Sequence, residues 1–196
     1  MRRTVLLLAV IAIAGCGGGA RQDADEPDGT FKVEVVGASF PARQHIAQSV
    51  RLRLRVRNAD QRTLRDVAVT VETKGAGTNA PSAFGQRASG TGQSDSDRPV
   101  WVLDDGPLGG DTADVNTWSA GTLRAGETRE LTWRLVAVKA GTYSIGYRVS
   151  PGLTGRARAA NGHTSGSFDV TIADEPVPAR VGAGGEVVRG EEPGGN

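Results

Sequence analysis

One cysteine, a row of four arginines and a run of aspartates carry most of the chemistry that this sequence offers. Cys16 is the only cysteine and follows Ile13, Ala14 and Gly15. A thiolate is a good nucleophile toward an alkyl donor, and the small residues before it suit an extended backbone entering a peptidase cleft. Standing alone, it offers no intramolecular disulfide and no cysteine-rich zinc or iron–sulfur site. Arg51, Arg53, Arg55 and Arg57 alternate with Val50, Leu52, Leu54 and Val56. On a strand they project from one face at spacings of about 6.6 Å, a repeat that can meet successive groups of a polyanion. The alternative is a solvated face neutralised across strands. If this strand and the next form a hairpin, Arg57 faces Asp66 and Arg51 faces Glu72.

Asp95, Asp97, Asp104, Asp105, Asp111 and Asp114 crowd into twenty residues, with Asn116 close behind. Hard oxygen ligands in a loop are what a calcium ion requires, which makes Asp104, Asp105, Asp111 and Asp114 the candidate ligands. Asp is equally a turn former, and that explains Asp104-Asp105-Gly106 and Gly110-Asp111 without a metal, so no metal or cofactor is expected. Paired aspartates beside an aromatic platform such as Trp101 or Trp118 are also the equipment of a carbohydrate-active or hydrolytic protein, provided two carboxyls converge about 5 to 9.5 Å apart. There is no Gly-x-Ser-x-Gly, His-Glu-x-x-His, Walker or EF-hand pattern. Residues 75–80 match Gly-x-Gly-x-x-Ala, but Pro81 and Gly85 interrupt any helix after them, so a flexible loop is expected instead of a dinucleotide site. His45 and His163 stand in polar stretches without ligand-spaced neighbours and are expected in exposed turns.

Cys16 must be presented by what precedes it. Arg2 and Arg3 are followed by an uninterrupted apolar run over residues 5–14. A membrane-spanning helix needs about 20 such residues, so residues 1–15 read as a cleavable signal peptide. The tetrapeptide ending in Cys16 resembles the lipobox of bacterial lipoproteins. That resemblance implies diacylglyceryl transfer to the Cys16 thiol, cleavage before it, and a mature protein lipid-anchored on the extracytoplasmic face of the cell membrane. Gly17, Gly18 and Gly19 then begin a flexible tether, residues 16–29.

Charge is unevenly spread. Residues 16–29 and 174–196 are each −3, whereas residues 30–173 hold 18 basic and 13 acidic side chains and are +5. A near-neutral chain gives no case for nucleic-acid binding. The expected partners are the membrane, through the lipid on Cys16, and an anionic envelope polymer, glycan or surface protein. Residues 175–196 are acidic, Gly- and Pro-rich and short of large apolar residues, which suggests a disordered tail with a short adhering strand near residues 186–189.

The body, residues 30–174, alternates with the period of strands. Leu131, Trp133 and Leu135 repeat the pattern of residues 50–57, as do Val67, Val69 and Val71, and Tyr143, Ile145, Tyr147 and Val149. No window sustains a helical period. An all-β, immunoglobulin-like antiparallel β-sandwich follows, with seven to nine strands and a long loop insertion at about residues 74–116. Leu52, Leu54, Val67, Val69, Trp133, Tyr143, Tyr147, Phe168 and Val170 are expected to share one core. Weaker strands are expected at residues 100–103, 115–118 and 156–160.

Two segments sharpen this. A strand ends in Arg57-Asn58 before a polar turn and the run Asp66-Val67-Ala68-Val69-Thr70-Val71. Further on, Arg124-Ala125-Gly126-Glu127 precedes the strand holding Trp133, and Ala140-Gly141-Thr142-Tyr143 opens the next. The arrangement resembles CARDB and related bacterial surface immunoglobulin-like modules. The resemblance implies a non-catalytic binding, adhesion or spacer unit of the cell envelope.

Overall fold

A computed structural model of the chain describes residues 26–75, 83–86, 99–181, 183–185 and 187–189. Among them there is no helix, and two sheets face each other. The first contains β2 (Val33–Ser39), β4 (Ser49–Asn58), β10 (Thr128–Ala137), β7 (Trp101–Leu108) and the short β6 (Gly85–Gln86), paired in that order. The second runs β3 (Arg43–Ile46), β13 (Ser165–Pro176), β11 (Gly141–Ser150), β5 (Ala68–Gly75), β9 (Thr117–Ser119) and β8 (Asp111–Asp114). Taking β2, β4, β5, β7, β10, β11 and β13 as the seven major strands, one sheet carries the first, second, fifth and fourth, and the other the seventh, sixth and third. This is the immunoglobulin-like order. The β8–β9 hairpin extends the second sheet between the fourth and fifth strands.

Alternation explains the layers. Along β4 the even residues Val50, Leu52, Leu54 and Val56 are buried and the odd ones are exposed. Leu131, Trp133 and Leu135 do the same on β10, and Tyr143, Ile145 and Val149 on β11. Of the expected core, Tyr147 and Phe168 are half-buried and packed together with ring centroids 5.6 Å apart; the other members are buried. Aromatic contacts join the two layers: Trp118 meets Trp133 edge-on at 5.3 Å, and Trp101 meets Tyr143 at 6.0 Å. Trp101 donates its indole N–H to Gln44 Oε1 at 2.7 Å, and the Gln44 amide donates to Pro41 O. Among the described residues the indole N–H of Trp133 has no such partner.

Residues 99–116 of the expected insertion are woven into both sheets. β7 pairs with β10 through two register shifts, and β8 pairs with β9. The candidate dinucleotide loop beyond Gly75, and Asp95 and Asp97, lie outside the described residues, as does Cys16. Past residue 174, β13 continues to Pro176, and β14 (Ala179–Val181) pairs with β15 (Val187–Arg189); β15 falls where a tail strand is expected, whereas β14 and the end of β13 fall where disorder is expected.

The tether is held sooner than its composition suggests. Glu26 is buried, and its carboxylate accepts the backbone N–H groups of Leu153, Thr154 and Ala157 at 2.8, 2.6 and 2.9 Å. β1 (Gly29–Phe31) then pairs in parallel with β12 (Ala157–Ala159). Burial by itself raises the Glu26 pKa, but the three N–H donors outweigh it and leave the carboxyl below its usual range.

Two measurements test this packing. Trp133→Ala should cost about 3 to 5 kcal/mol in a denaturant titration, as large aromatic truncations in cores do. Trp133→Phe should cost clearly less, because the polar group it deletes is already without a partner. Glu26 binds its proton less readily when folded, so its stabilisation is present above the ordinary carboxylate pKa and is lost as pH falls through the lowered one. Unfolding measured at about pH 7 and about pH 3 should therefore show a smaller loss for Glu26→Gln than for the parent.

Candidate functional site

The four arginines lie on the outer face of the first sheet, on a strand with neighbours on both sides along most of its length. All are exposed, as the alternation of β4 requires. Their cross-strand neighbours differ along the row. Arg57 stands between Glu34 of β2 and Thr128 of β10, and its guanidinium reaches Glu34 at 3.4 Å. Arg55 lies between Gly37 and Glu130, and Arg53 between Ser39 and Thr132. The Arg55 stem crosses Gly37 so closely that a Cβ there would sit 3.3 Å from Arg55 Cδ, so glycine leaves room for the arginine to lie flat. Arg51 has no β2 neighbour and stands directly opposite another cation, Arg134.

The supposed hairpin partners are absent from this face. β4 and β5 belong to different sheets, so Arg57 does not meet Asp66, nor Arg51 Glu72. Asp66 instead accepts the Ser119 hydroxyl at 3.1 Å, and Glu72 lies 3.9 Å from Arg148. The physical reason is that residues 59–67 carry the chain from one layer to the other instead of turning it back in plane. Arg134 draws its neutralising charge from β7, with Asp104 at 2.7 Å and Asp105 at 3.5 Å. Among the described residues Arg51, Arg53 and Arg55 make no ion pair, so positive charge accumulates toward the Ser49 end of the strand.

A cleft of about 770 Å³ opens at that end, bounded by Phe40, Arg43, Ser49, Val50, Arg51 and Arg53. It forms because the chain leaves the first sheet after Ser39, crosses at residues 40–42, and enters the second sheet as β3 beside β13. Among the described residues no carboxylate lines it. Sequence reasoning missed Arg43; the neighbouring Pro41, which cannot donate to a ladder, was the available sign of the crossing.

The candidate calcium ligands are not brought together. Asp104 and Asp105 answer Arg134, Asp111 and Asp114 occupy the two ends of β8, and Asp114 accepts the Val115 N–H. Among the described residues no group of three or more acids, histidines or cysteines could hold a metal ion. Trp101 and Trp118 are core rings, so neither stands as the open platform that the carbohydrate-active alternative expects, although the edge of Trp118 lines a small cleft with Phe84 and Asp114. His45 is half-buried on β3, with Nδ1 3.0 Å from Glu175 O, and His163 is exposed.

No protein-family model matches the chain, and no curated protein matches it in sequence. Among solved structures, it is similar to the CARDB domain of PF1109 from Pyrococcus furiosus, crystallised in complex with di-metal ions. The identity is 14%, the TM-score 0.44, and the match covers 77% of this chain and 97% of that one. It is also similar to native alpha-2-macroglobulin from Escherichia coli, in a crystal structure spanning domain MG7 to the C-terminus. There the identity is 16%, the TM-score 0.44, and the match covers 76% of this chain and 18% of that one. A beta-glucosidase from Listeria innocua, in complex with isofagomine, matches at 14% identity and a TM-score of 0.42, over 75% of this chain and 17% of its own. The immunoglobulin-like assignment rests on the strand pairings above, and the site is read from its own geometry.

Proposed function

We propose that the chain is a lipid-anchored, non-catalytic module of the cell envelope whose first sheet binds an anionic polymer through Arg51, Arg53, Arg55 and Arg57. The observation that carries this reading is the unequal neutralisation of the row. A solvated face would pair each arginine with an acid, whereas among the described residues Arg57 alone of the four makes such a contact; Glu130 stands opposite Arg55 without forming an ion pair, and Arg51 and Arg53 have no acid opposite them on either neighbouring strand. The lipobox-like sequence at Cys16 supplies the anchor, and export would bring the body, +5 over residues 30–173, to the anionic material of an envelope.

Each basic residue close to an anionic surface contributes about 1 kcal/mol. Arg53→Gln with Arg55→Gln should therefore weaken binding to a soluble acidic polymer by roughly 30-fold at low salt, with the difference closing as salt is added. Neither residue holds an ion pair among the described residues, so the fold should keep its melting temperature. Anionic liposomes form a second arm. If liposomes are bound through the row and the polymer is not, the ligand is a lipid head group; equal binding of parent and double variant to both leaves the row as a soluble sheet surface. For the anchor, Cys16→Ser should release the protein from the membrane fraction or block its processing. Retention with normal processing would remove the lipid from the proposal.

A further inference from the structure

The cleft beside Arg43 exposes backbone as well as charge. Along β4, Ala137 N donates to Gln48 O and Asn58 N donates to Glu127 O, both toward β10, while Ala59 N donates to Lys32 O on the β2 side. The register with β10 runs from Ser49 to Arg57 without a shift. Even-numbered residues of β4 thus turn their N–H and C=O groups to β10, and odd-numbered residues turn theirs to β2. The β2 ladder stops at Ser39, opposite Arg53. Ser49 and Arg51 are left with two N–H and two C=O groups aimed along the sheet plane into the cleft, where no strand of the described residues meets them.

We propose that this open half-edge of β4 accepts an extended acidic peptide segment of a protein partner as an added strand, antiparallel to β4 and in the line that β2 would follow had it not left the sheet. Three features define the occupant. Its backbone must alternate donors and acceptors, which a peptide does and a polymer of sugars or phosphates does not. The side chain opposite Arg51 lies on the outer face, among Arg51, Arg53 and Arg43 with no acid lining the cleft, and so is Glu or Asp. The side chains on either side of it turn inward to Val50 and Phe40, both buried, and so are apolar. Alternating acidic and apolar residues meet all three conditions. This proposal shares Arg51 and Arg53 with the arginine row but does not rest on polymer binding by it, because it turns on backbone bonding, which no such polymer supplies, and on Arg43, which is outside that row.

The probe is an acetylated and amidated hexapeptide, Glu-Val-Glu-Val-Glu-Val, titrated into the full chain by calorimetry. In the added strand the glutamate amides face β4 and the valine amides face away. N-methylation of the glutamate amides should weaken binding at least tenfold, and N-methylation of the valine amides should leave it within twofold. Arg43→Gln and Ser49→Pro should each weaken binding about tenfold; the second removes an N–H that serves no ladder bond and leaves every charge in place. Arg158→Gln, on β12 and outside both the row and the cleft, should leave it unchanged. Equal weakening, or none, by the two methylations would reduce the contact to charge and overturn strand addition, as would failure of the parent peptide to bind. The methylated pair decides the matter on the parent protein even if Ser49→Pro does not fold. Equal polymer binding by the parent and the Arg53 and Arg55 double variant, the result that overturns the polymer reading, would leave the methylation outcomes untouched, so the two proposals fail separately.

Discussion

Everything on the arginine face depends on one buried amide. Asn58 closes β4 with no exposed surface, and its Nδ2 donates to Arg62 O at 2.8 Å and to Leu123 O at 2.9 Å while Oδ1 accepts Asp60 N. Its backbone completes the tie: Asn58 N donates to Glu127 O, and Gly126 N donates to Asn58 O. Gly126 adopts a φ of 75°, a conformation that suits glycine and lets the second turn come in under the asparagine. One side chain thus binds the turn leaving β4 to the turn entering β10, and the Leu64–Leu123 bridge continues the same seam. A slip of one residue between these strands would turn Arg51 to Arg57 into the core and Leu52 and Leu54 out to water. Burial of the leucines opposes that slip in general, and Asn58 sets the register from which it is measured.

With register fixed, the distribution of charge follows from which strands happen to stand beside β4. Where β2 accompanies it, Glu34 answers Arg57 and Gly37 gives Arg55 room. Where β2 departs, Arg51 meets only Arg134, whose own charge is taken up by Asp104 and Asp105. Strand switching near Phe40 therefore produces two effects at once: an unneutralised cationic end and an unpaired stretch of backbone. Arginines flanking an open edge also discourage pairing between copies of the chain, since like charges would be brought together. An acidic strand escapes that penalty, which makes the same residues a filter for the occupant.

How much of this could be read from the residues alone depended on the length of the signal. Ten-residue β4, β10 and β11 each alternate over several periods, and the phases expected for Leu52, Leu54, Trp133 and Tyr143 are those observed. Only the start of β7 is legible, as the weaker strand expected at residues 100–103; the rest escapes because Asp104, Asp105, Gly106 and Pro107 look like a turn, and two register shifts break the alternation that would mark a strand. β9 spans three residues, too few to show a period, so Trp118 could be taken for a platform although it packs on Trp133. Glu26 resembles any tether acid until three N–H groups from a loop more than a hundred residues away converge on it. Which layer each strand joins is a long-range matter, and the Arg57–Asp66 and Arg51–Glu72 pairings failed there.

The two ends of β4 stand in different relations to the Cys16 anchor proposed here. Ten residues separate Cys16 from Glu26, a contour of at most about 36 Å. Glu26 docks on residues 153–157, and β1 leads directly into Val33, which pairs with Asn58. The tether therefore arrives at the Asn58 end. The Ser49 end lies a ten-residue strand away, about 31 Å at the rise of an extended chain. Near the tether the arginine row is neutralised by Glu34, and far from it the row is not. Charge meant for the head groups of the anchoring membrane would be concentrated the other way round. With the anchor proposed at Cys16, the observed polarity would instead hold the open cationic edge away from the point of attachment, where an acidic strand rather than the anchoring head groups would reach it.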